Sequence, residues 1–225
     1  MLNMVDHTIL KNTVSYKDIE RHCEEAVHMG AFSVCVNPAW VKMSKDLLEH
    51  DNVKVCTVVG FPLGATPAVV KAFEAQKAVE DGADEIDMVI NIGLAKAGRY
   101  DKILEEINMV KAAIGDVLLK VIIETSEFDY NQKSDLCEVV AQSDAQYIKT
   151  STGTTAKGAT VEDVELMVEV GEGRYMVKAS GGVNNLQIMN QMMEAGADRI
   201  GTSGGLRIMD ELKGNDVSGV EVSNY

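Results

Sequence analysis

Eight short apolar runs recur along the chain, each followed by a stretch with helical features, and this alternation limits the possible folds more than any other feature. The runs are MVDHT, FSVCVN, KVCTVVG, EIDMVIN, LLKVIIET, YIKTS, MVKAS and RIGTS. They are nearly continuous in apolar character, as parallel strands covered by helices require. The segments between them carry helix ends. SYKDIERHCEEAVHMG opens on Ser15 with Asp18 three residues later, a capping-box variant, and stops at Gly30. TPAVVKAFEAQKAVEDG is expected to open with Thr66 as N-cap and Pro67 at the first helical position, and TVEDVELMVEVGEG with Thr160.

A weak internal repeat marks the helix-to-strand joints. DGADEID (81–87) and AGADRIG (195–201) match closely, while MGAFSVC and SDAQYIK are looser echoes. Each reads as a helix stop, a tight turn and a buried strand. Eight such units predict a (β/α)8 TIM barrel, with a doubly wound sheet as the alternative. No linker or break in composition divides the chain, so residues 1–213 are expected to form one domain. GNDVSGVEVSNY (214–225) lacks a periodic apolar face and is expected to be a flexible tail whose Tyr225 could fold back over the site.

Net charge is −14, from 21 basic and 35 acidic residues. Such a surface repels nucleic acid and anionic membranes, so neither is expected as a partner. The N-terminal MLNMVDHTIL interrupts any signal-peptide core with an acid and a histidine, and no apolar run reaches a membrane-spanning length. Cys23, Cys35, Cys56 and Cys137 show no close spacing and read as reduced core thiols of a cytoplasmic protein. The four histidines fall early in the chain without H-x-H or H-E-x-x-H spacing, so neither a metal nor another cofactor is expected.

In a barrel of this kind the chemistry sits at the C-terminal ends of the strands. The polar residues there are Asp6 and Thr8, Asp87 and Asn91, Lys120 and Glu124, Lys149, Thr150 and Ser151, then Lys178 and Ser180. Asp87, Lys120, Lys149 and Lys178 are too many charges for a purely structural interior, where an ion pair adds little over an apolar isostere. Neighbouring strands lie about 4.8 Å apart, so Lys149 and Lys178 are expected to repel by roughly 3 kcal/mol at an effective dielectric near 20. The less well paired of the two then gives up its proton more easily, and a neutral amine can condense with a carbonyl to form a Schiff base. Glycine-rich turns STG, SGG and GTSGG follow strands six, seven and eight, where such barrels often bind phosphate.

DHTIL, SVCVNP, KVCTVVGFPLGA, ADEIDMVINIG, LKVIIET, IKTSTG, VKASGG and RIGTS, in this order, resemble deoxyribose-phosphate aldolase from Asp6 to about Ser203. The resemblance implies a metal-independent aldolase that reversibly cleaves 2-deoxy-D-ribose 5-phosphate into acetaldehyde and glyceraldehyde 3-phosphate. It implies Lys149 as the Schiff-base lysine, Lys178 as the second lysine that keeps Lys149 neutral, and Asp87 as the acid/base residue. Asp6, Thr8 and Lys120 match supporting polar groups, and Cys35 matches a cysteine near the substrate. Gly153, Ser180, Gly181, Gly182, Gly201, Ser203 and Gly204 are the expected phosphate-binding residues. The family also suggests a homodimer.

The sequence departs from the family around the phosphate. Thr154 follows STG where an aromatic or basic residue is common, Asn184 and Asn185 follow SGG-Val183 where an arginine is usual, and Gly204 follows GTS. A lost arginine removes a charge-assisted contact worth roughly 1.5–3 kcal/mol, for which Arg207 or Lys157 could compensate. Two other functions therefore stand beside the first. One is a related aldolase with a different aldehyde acceptor; the other is a phosphosugar-binding barrel with degraded catalysis.

Overall fold

The protein is described by a computed structural model covering residues 1–155, 157–215 and 217. Eight parallel strands run in chain order: β1 Val5–Ile9, β2 Ser33–Val36, β3 Lys54–Val59, β4 Glu85–Val89, β5 Leu118–Ile122, β6 Tyr147–Lys149, β7 Met176–Ser180 and β8 Arg199–Thr202. Each pairs with the next, and β8 pairs with β1, so the sheet closes into a barrel without an edge. Closure excludes the doubly wound alternative. Helices α1 Tyr16–Met29, α2 Val41–Leu47, α3 Ala68–Glu80, α4 Ile92–Lys96, α5 Tyr100–Ile114, α6 Tyr130–Ala141, α7 Val161–Gly171, α8 Leu186–Glu194 and α9 Gly205–Leu212 complete the (β/α)8 TIM barrel.

Local chemistry sets the helix ends. The Ser15/Asp18 capping box forms, and Gly30 ends α1 in the left-handed conformation. Thr160 caps α7 by accepting the Asp163 N–H at 3.1 Å. Helix α3 starts one residue later than expected. Pro67 is its N-cap, not its first helical residue, because ψ of 147° keeps Pro67 extended while its carbonyl already accepts from Val70 at 2.9 Å. Of the expected tail, only Gly214, Asn215 and Val217 are among the described residues; Tyr225 lies outside them.

The repeat at the strand entrances has structural content. Asp84 Oδ2 accepts from Val55 N–H at 2.9 Å, Gln146 Oε1 from Leu119 N–H at 2.9 Å, and Asp198 Oδ2 from Val177 N–H at 2.8 Å. The residue just before β4, β6 or β8 thus ties that strand to its predecessor.

Side chains on the outer face of the sheet, such as Val34, Val55, Ile86, Leu119, Ile148, Val177 and Ile200, form the main apolar core with the helices. The inner face is different. Tilted strands place side chains of one height on every second strand, giving tiers of four, and the strand registers define four of them. The floor holds Ser33, Glu85, Tyr147 and Arg199. Above it lie Asp6, Cys56, Lys120 and Lys178, then Cys35, Asp87, Lys149 and Gly201. Thr8, Val58, Ile122 and Ser180 form the top tier. Most of this interior is polar, apart from a small separate cluster of Leu10, Cys35, Cys56 and Val58 with Phe61 packed on it.

One buried pair steadies the strand that carries Asp87. Lys71 of α3 donates to the Val89 carbonyl and to Glu106 Oε1 of α5, both at 2.7 Å. Glu106 Oε2 in turn accepts from Asn91 N–H at 2.9 Å, fixing the chain just beyond β4.

Candidate active site

Asp87 is the hub of the interior. Its Oδ2 accepts from Lys149 Nζ at 2.7 Å and from Lys178 Nζ at 2.8 Å, and its Oδ1 from Lys120 Nζ at 2.8 Å and the Cys56 thiol at 3.2 Å. Lys149 and Lys178 are register partners, but barrel tilt sets Lys178 one tier deeper. Sharing one oxygen keeps the two nitrogens close, as the sequence led us to expect. They are not equally paired: Lys178 also contacts Asp6 Oδ2, whereas Asp87 is the carboxylate in contact with Lys149.

Asp6 faces two ways. Ser33 Oγ and Arg199 Nη1 donate to its Oδ1 at 2.7 and 2.8 Å, leaving Oδ2 for Lys178. Lys120 bridges to Glu85 at 2.6 Å and lies 3.3 Å from Cys56 Sγ. Thr8 is buried at the rim, where its hydroxyl donates to the Asp6 carbonyl at 2.9 Å.

These contacts fix several charges. Burial pushes the Asp87 carboxyl up, but Lys120, Lys149 and Lys178 outweigh it and hold the group well below the carboxylate range. Asp6 behaves the same way, with burial outweighed by Lys178, Lys120 and Arg199. Burial pulls the Lys178 and Lys120 ammonium groups down, yet Asp6 and Asp87 for the first, and chiefly Asp87 for the second, raise both above the ordinary lysine value. Burial raises the Cys56 thiol, whereas the hydrogen bond with Cys56 lowers Cys35. Lys178 is therefore the lysine held as an ammonium, and Lys149 has the thinner pairing.

The glycine turns lie where expected, with adjustments. Gly153, Gly181 and Gly182 have φ of 84°, 84° and 76°, a left-handed region open to glycine. The first two loops interlock: a Cβ on Gly158 would meet the Gly181 carbonyl oxygen at 2.0 Å. Gly201 is not in a loop. It lies inside β8, paired with Asp6 and Ser180, and a Cβ there would meet Lys178 Cε at 3.0 Å; its role is to leave room for the lysine. Ser180 ends β7, with its hydroxyl donating to the Ser151 carbonyl at 2.6 Å and its N–H to Thr150 Oγ1 at 3.0 Å. Gly204 N–H is taken by Thr202 Oγ1 at 2.8 Å. Ser203 lies between Thr202 and Gly204, on the turn into α9.

Nor is Arg207 placed as a substitute for the missing arginine. It is paired with Glu211 at 3.1 Å, whose other oxygen accepts from Leu186 N–H. Lys157 is exposed on the loop after β6. That loop is held by Glu124, whose buried carboxylate accepts from Thr152 Oγ1 at 2.6 Å and from Thr155 Oγ1 at 3.3 Å.

Sequence reasoning missed Glu85, Arg199, Cys56 and Ser33 as parts of the site. Arg199 packs its guanidinium 3.4 Å over the Phe32 ring while contacting Asp6 and Glu85. The signal was present in the repeat: DGADEID and AGADRIG align Glu85 with Arg199, and the looser echoes align Ser33 and Tyr147 with them. Those four residues are the floor tier.

Among the described residues, three groups of side chains bring metal-type donors together: His7, His22 and Glu25; Cys35, Cys56 and Asp87; and Asp6, Cys56 and Glu85. In the last two, Lys120 already supplies the positive charge, at 2.8 Å from Asp87 and 2.6 Å from Glu85. In the first, the imidazoles stack with 14° between their planes, so their in-plane lone pairs do not converge.

Comparison with known proteins shows the family and the fold. The family model described as DeoC/LacD family aldolase matches residues 1–211. A deoxyribose-phosphate aldolase of Carboxydothermus hydrogenoformans is 52% identical over 213 residues, covering 93% of each chain. One from Lactococcus lactis subsp. lactis is 48% identical over 212 residues, covering 94% of this chain and 96% of its own. Among solved structures, "QR15, an Aldolase" matches with a TM-score of 0.91 at 39% identity, covering 95% of this chain and 96% of that one. A tetrameric deoxyribose phosphate aldolase from Aeropyrum pernix matches with a TM-score of 0.85 at 30% identity, covering 94% and 90%.

Proposed function

The chain belongs to the DeoC/LacD aldolase family, and from that premise we propose that it is a lyase cleaving 2-deoxy-D-ribose 5-phosphate to acetaldehyde and D-glyceraldehyde 3-phosphate through a Schiff base on Lys149. The observation that carries this reading is the placement of Lys149 on Asp87, beside a second lysine that two carboxylates hold as an ammonium.

In this reading Lys149 Nζ adds to the C1 aldehyde of the open-chain sugar, and loss of water gives an iminium. Asp87 accepts the proton of the C3 hydroxyl, directly or through a water, as the C2–C3 bond breaks. The electron pair of that bond moves into the iminium to form an enamine, and glyceraldehyde 3-phosphate leaves. Protonation at C2 and hydrolysis then release acetaldehyde and restore the amine. A carboxylate held so far below its ordinary range does not keep the proton, which passes to C2 of the enamine or to water, while Lys120 and Lys178 stay as ammonium groups in contact with the two Asp87 oxygens. Cys35 shares the tier of Asp87 and Lys149, across the barrel from the lysine, and Thr8 lies in the tier above.

The phosphate is assigned to the rim built by Gly153, Gly181, Gly182, Ser203 and the turn at Gly204. The test is reduction with borohydride in the presence of 2-deoxyribose 5-phosphate, followed by peptide mapping. An adduct on Lys149 is expected, and a folded protein without one overturns the mechanism. A second reading, a different and even unphosphorylated acceptor, is favoured by Asn184 at the arginine position and by Arg207 being tied to Glu211. Faster turnover of the unphosphorylated sugar would support it. Binding without acetaldehyde release would point to the degraded barrel.

We assign the protein to the cytoplasm, in keeping with four buried free thiols; among the described residues no helix is long and apolar enough to cross a membrane. For assembly we propose a homodimer, supported by the family resemblance and by Leu63, Val69 and Phe73, each at least 66% exposed. Sedimentation velocity reads the assembly directly, and a monomer at micromolar concentration removes this proposal.

A further inference from the structure

The buried charges beneath Lys149 form a closed circuit. Arg199 contacts Asp6 at 2.8 Å, Asp6 contacts Lys178, and Lys178 contacts Asp87 at 2.8 Å. Asp87 contacts Lys120 at 2.8 Å, Lys120 contacts Glu85 at 2.6 Å, and Glu85 returns to Arg199 at 3.1 Å. Cations and anions alternate all the way round, and all six side chains are buried. Three guanidinium or ammonium groups balance three carboxylates. Lys149 hangs outside the circuit, attached through Asp87.

We infer that Arg199 and Glu85 are positioning residues of the reaction, which close a charge-balanced ring and so leave Lys149 as the surplus cation among the side chains of the four inner tiers. A buried net charge is costly, and the charge this interior can shed without opening the ring is the one on Lys149. The readiness of the nucleophile then depends on the balance of the whole ring and not on Lys178 alone. This inference rests on the proposed Schiff-base reading and deepens it.

Every strand contributes a titratable or charged group to the barrel interior around and beneath Lys149. Asp6 comes from β1, Cys35 from β2, Cys56 from β3, Glu85 and Asp87 from β4, and Lys120 from β5. Tyr147 is on β6 itself, Lys178 comes from β7 and Arg199 from β8. Burial keeps the Cys56 thiol and the Tyr147 phenol protonated, while Cys35 is lowered by its bond with Cys56. Glu124, at the end of β5, has both oxygens occupied by threonine hydroxyls.

The test is the acid limb of the pH profile of kcat/KM for 2-deoxyribose 5-phosphate. Arg199→Met leaves the ring one positive charge short, so Lys149 becomes its counter-ion and the limb moves up by about one pH unit, roughly tenfold in rate on the acid side. Glu85→Gln leaves the ring with positive charge in excess and moves the limb down. The double variant restores balance and returns the limb to the wild-type position. Equal profiles in all four proteins, or single variants that move it the same way, overturn the inference. Should Arg199→Met fail to fold by circular dichroism, the charge-preserving Arg199→Lys must keep the wild-type limb and Glu85→Gln must still lower it; any other result overturns it as well. Borohydride trapping of wild type separates the two levels. No adduct on Lys149 removes the Schiff-base reading itself, whereas an adduct with unmoved limbs removes only the role of the ring.

Discussion

Lys149 and Lys178 are chemically the same side chain one tier apart, and their partners give them opposite tasks. Asp6 and Asp87 hold Lys178 charged, so it can repel a second positive charge without itself becoming a nucleophile. Replacing Lys178 with leucine is expected to cut kcat/KM by roughly 10²–10⁴-fold, the range of a lost acid–base group, and to raise the pH optimum, because the carboxylates it leaves behind then favour a charged Lys149. A pH–rate profile of the variant measures both effects, and an unchanged optimum refutes this division of tasks. The charged residues within apolar runs were readable from sequence because nothing in a structural strand explains them. Glu85 and Arg199 were not, since each stands at a strand entrance, where a charge reads as an exposed joint. Only closure of the barrel turns that position inward.

At the scale of elements, the helices do more than cover the sheet. Lys71 on α3 and Glu106 on α5 are both buried, and together they hold the Val89 carbonyl and the Asn91 N–H beyond β4. Removing one partner strands a charge, so Glu106→Ala is expected to cost about 3–5 kcal/mol. The paired change Lys71→Met with Glu106→Leu should cost clearly less, and guanidinium unfolding midpoints compare the two. Equal losses would show that packing, not charge, dominates there. The eight strands were legible from apolar runs, and two helix starts, Ser15 and Thr160, and one helix stop, Gly30, from their caps. Gly201 was misplaced because GTSGG looks like one turn; its first two residues belong to β8, and the space it leaves beside Lys178 cannot be seen from composition.

For the whole molecule, pH acts on stability through groups that the interior has shifted. Burial holds the His22 imidazole well below its ordinary 6.5, with the stacked His7 adding to the effect. The unfolded chain therefore takes up a proton near pH 6.5 that the folded one refuses, and stability falls below that pH by about 1.4 kcal/mol per unit. Asp6 and Asp87 lie below their ordinary 3.8, so their contribution is complete above that value and is lost only as pH falls through their folded values. Lys120 and Lys178 lie above 10.5, so theirs is complete below it and is lost as pH rises beyond it. Stability is thus expected to be level from about pH 7 to 8 and to fall towards pH 9 and above, where the thiols of Cys23, Cys56 and Cys137 ionise in the unfolded chain but are held up by burial in the folded one. It is also expected to slope below 6.5, and to lose that acid slope in His22→Gln. Denaturant titrations at stepped pH decide this, and a slope that survives the substitution assigns it elsewhere. The ionic circuit also joins the first strand to the last, Asp6 to Arg199, across nearly the entire chain. A polypeptide still waiting for its eighth strand lacks that link, however much helix it has already formed. In refolding, enzymatic turnover should therefore return only with the final docking event, after the far-ultraviolet signal; turnover that came back alongside early helix formation would contradict this order.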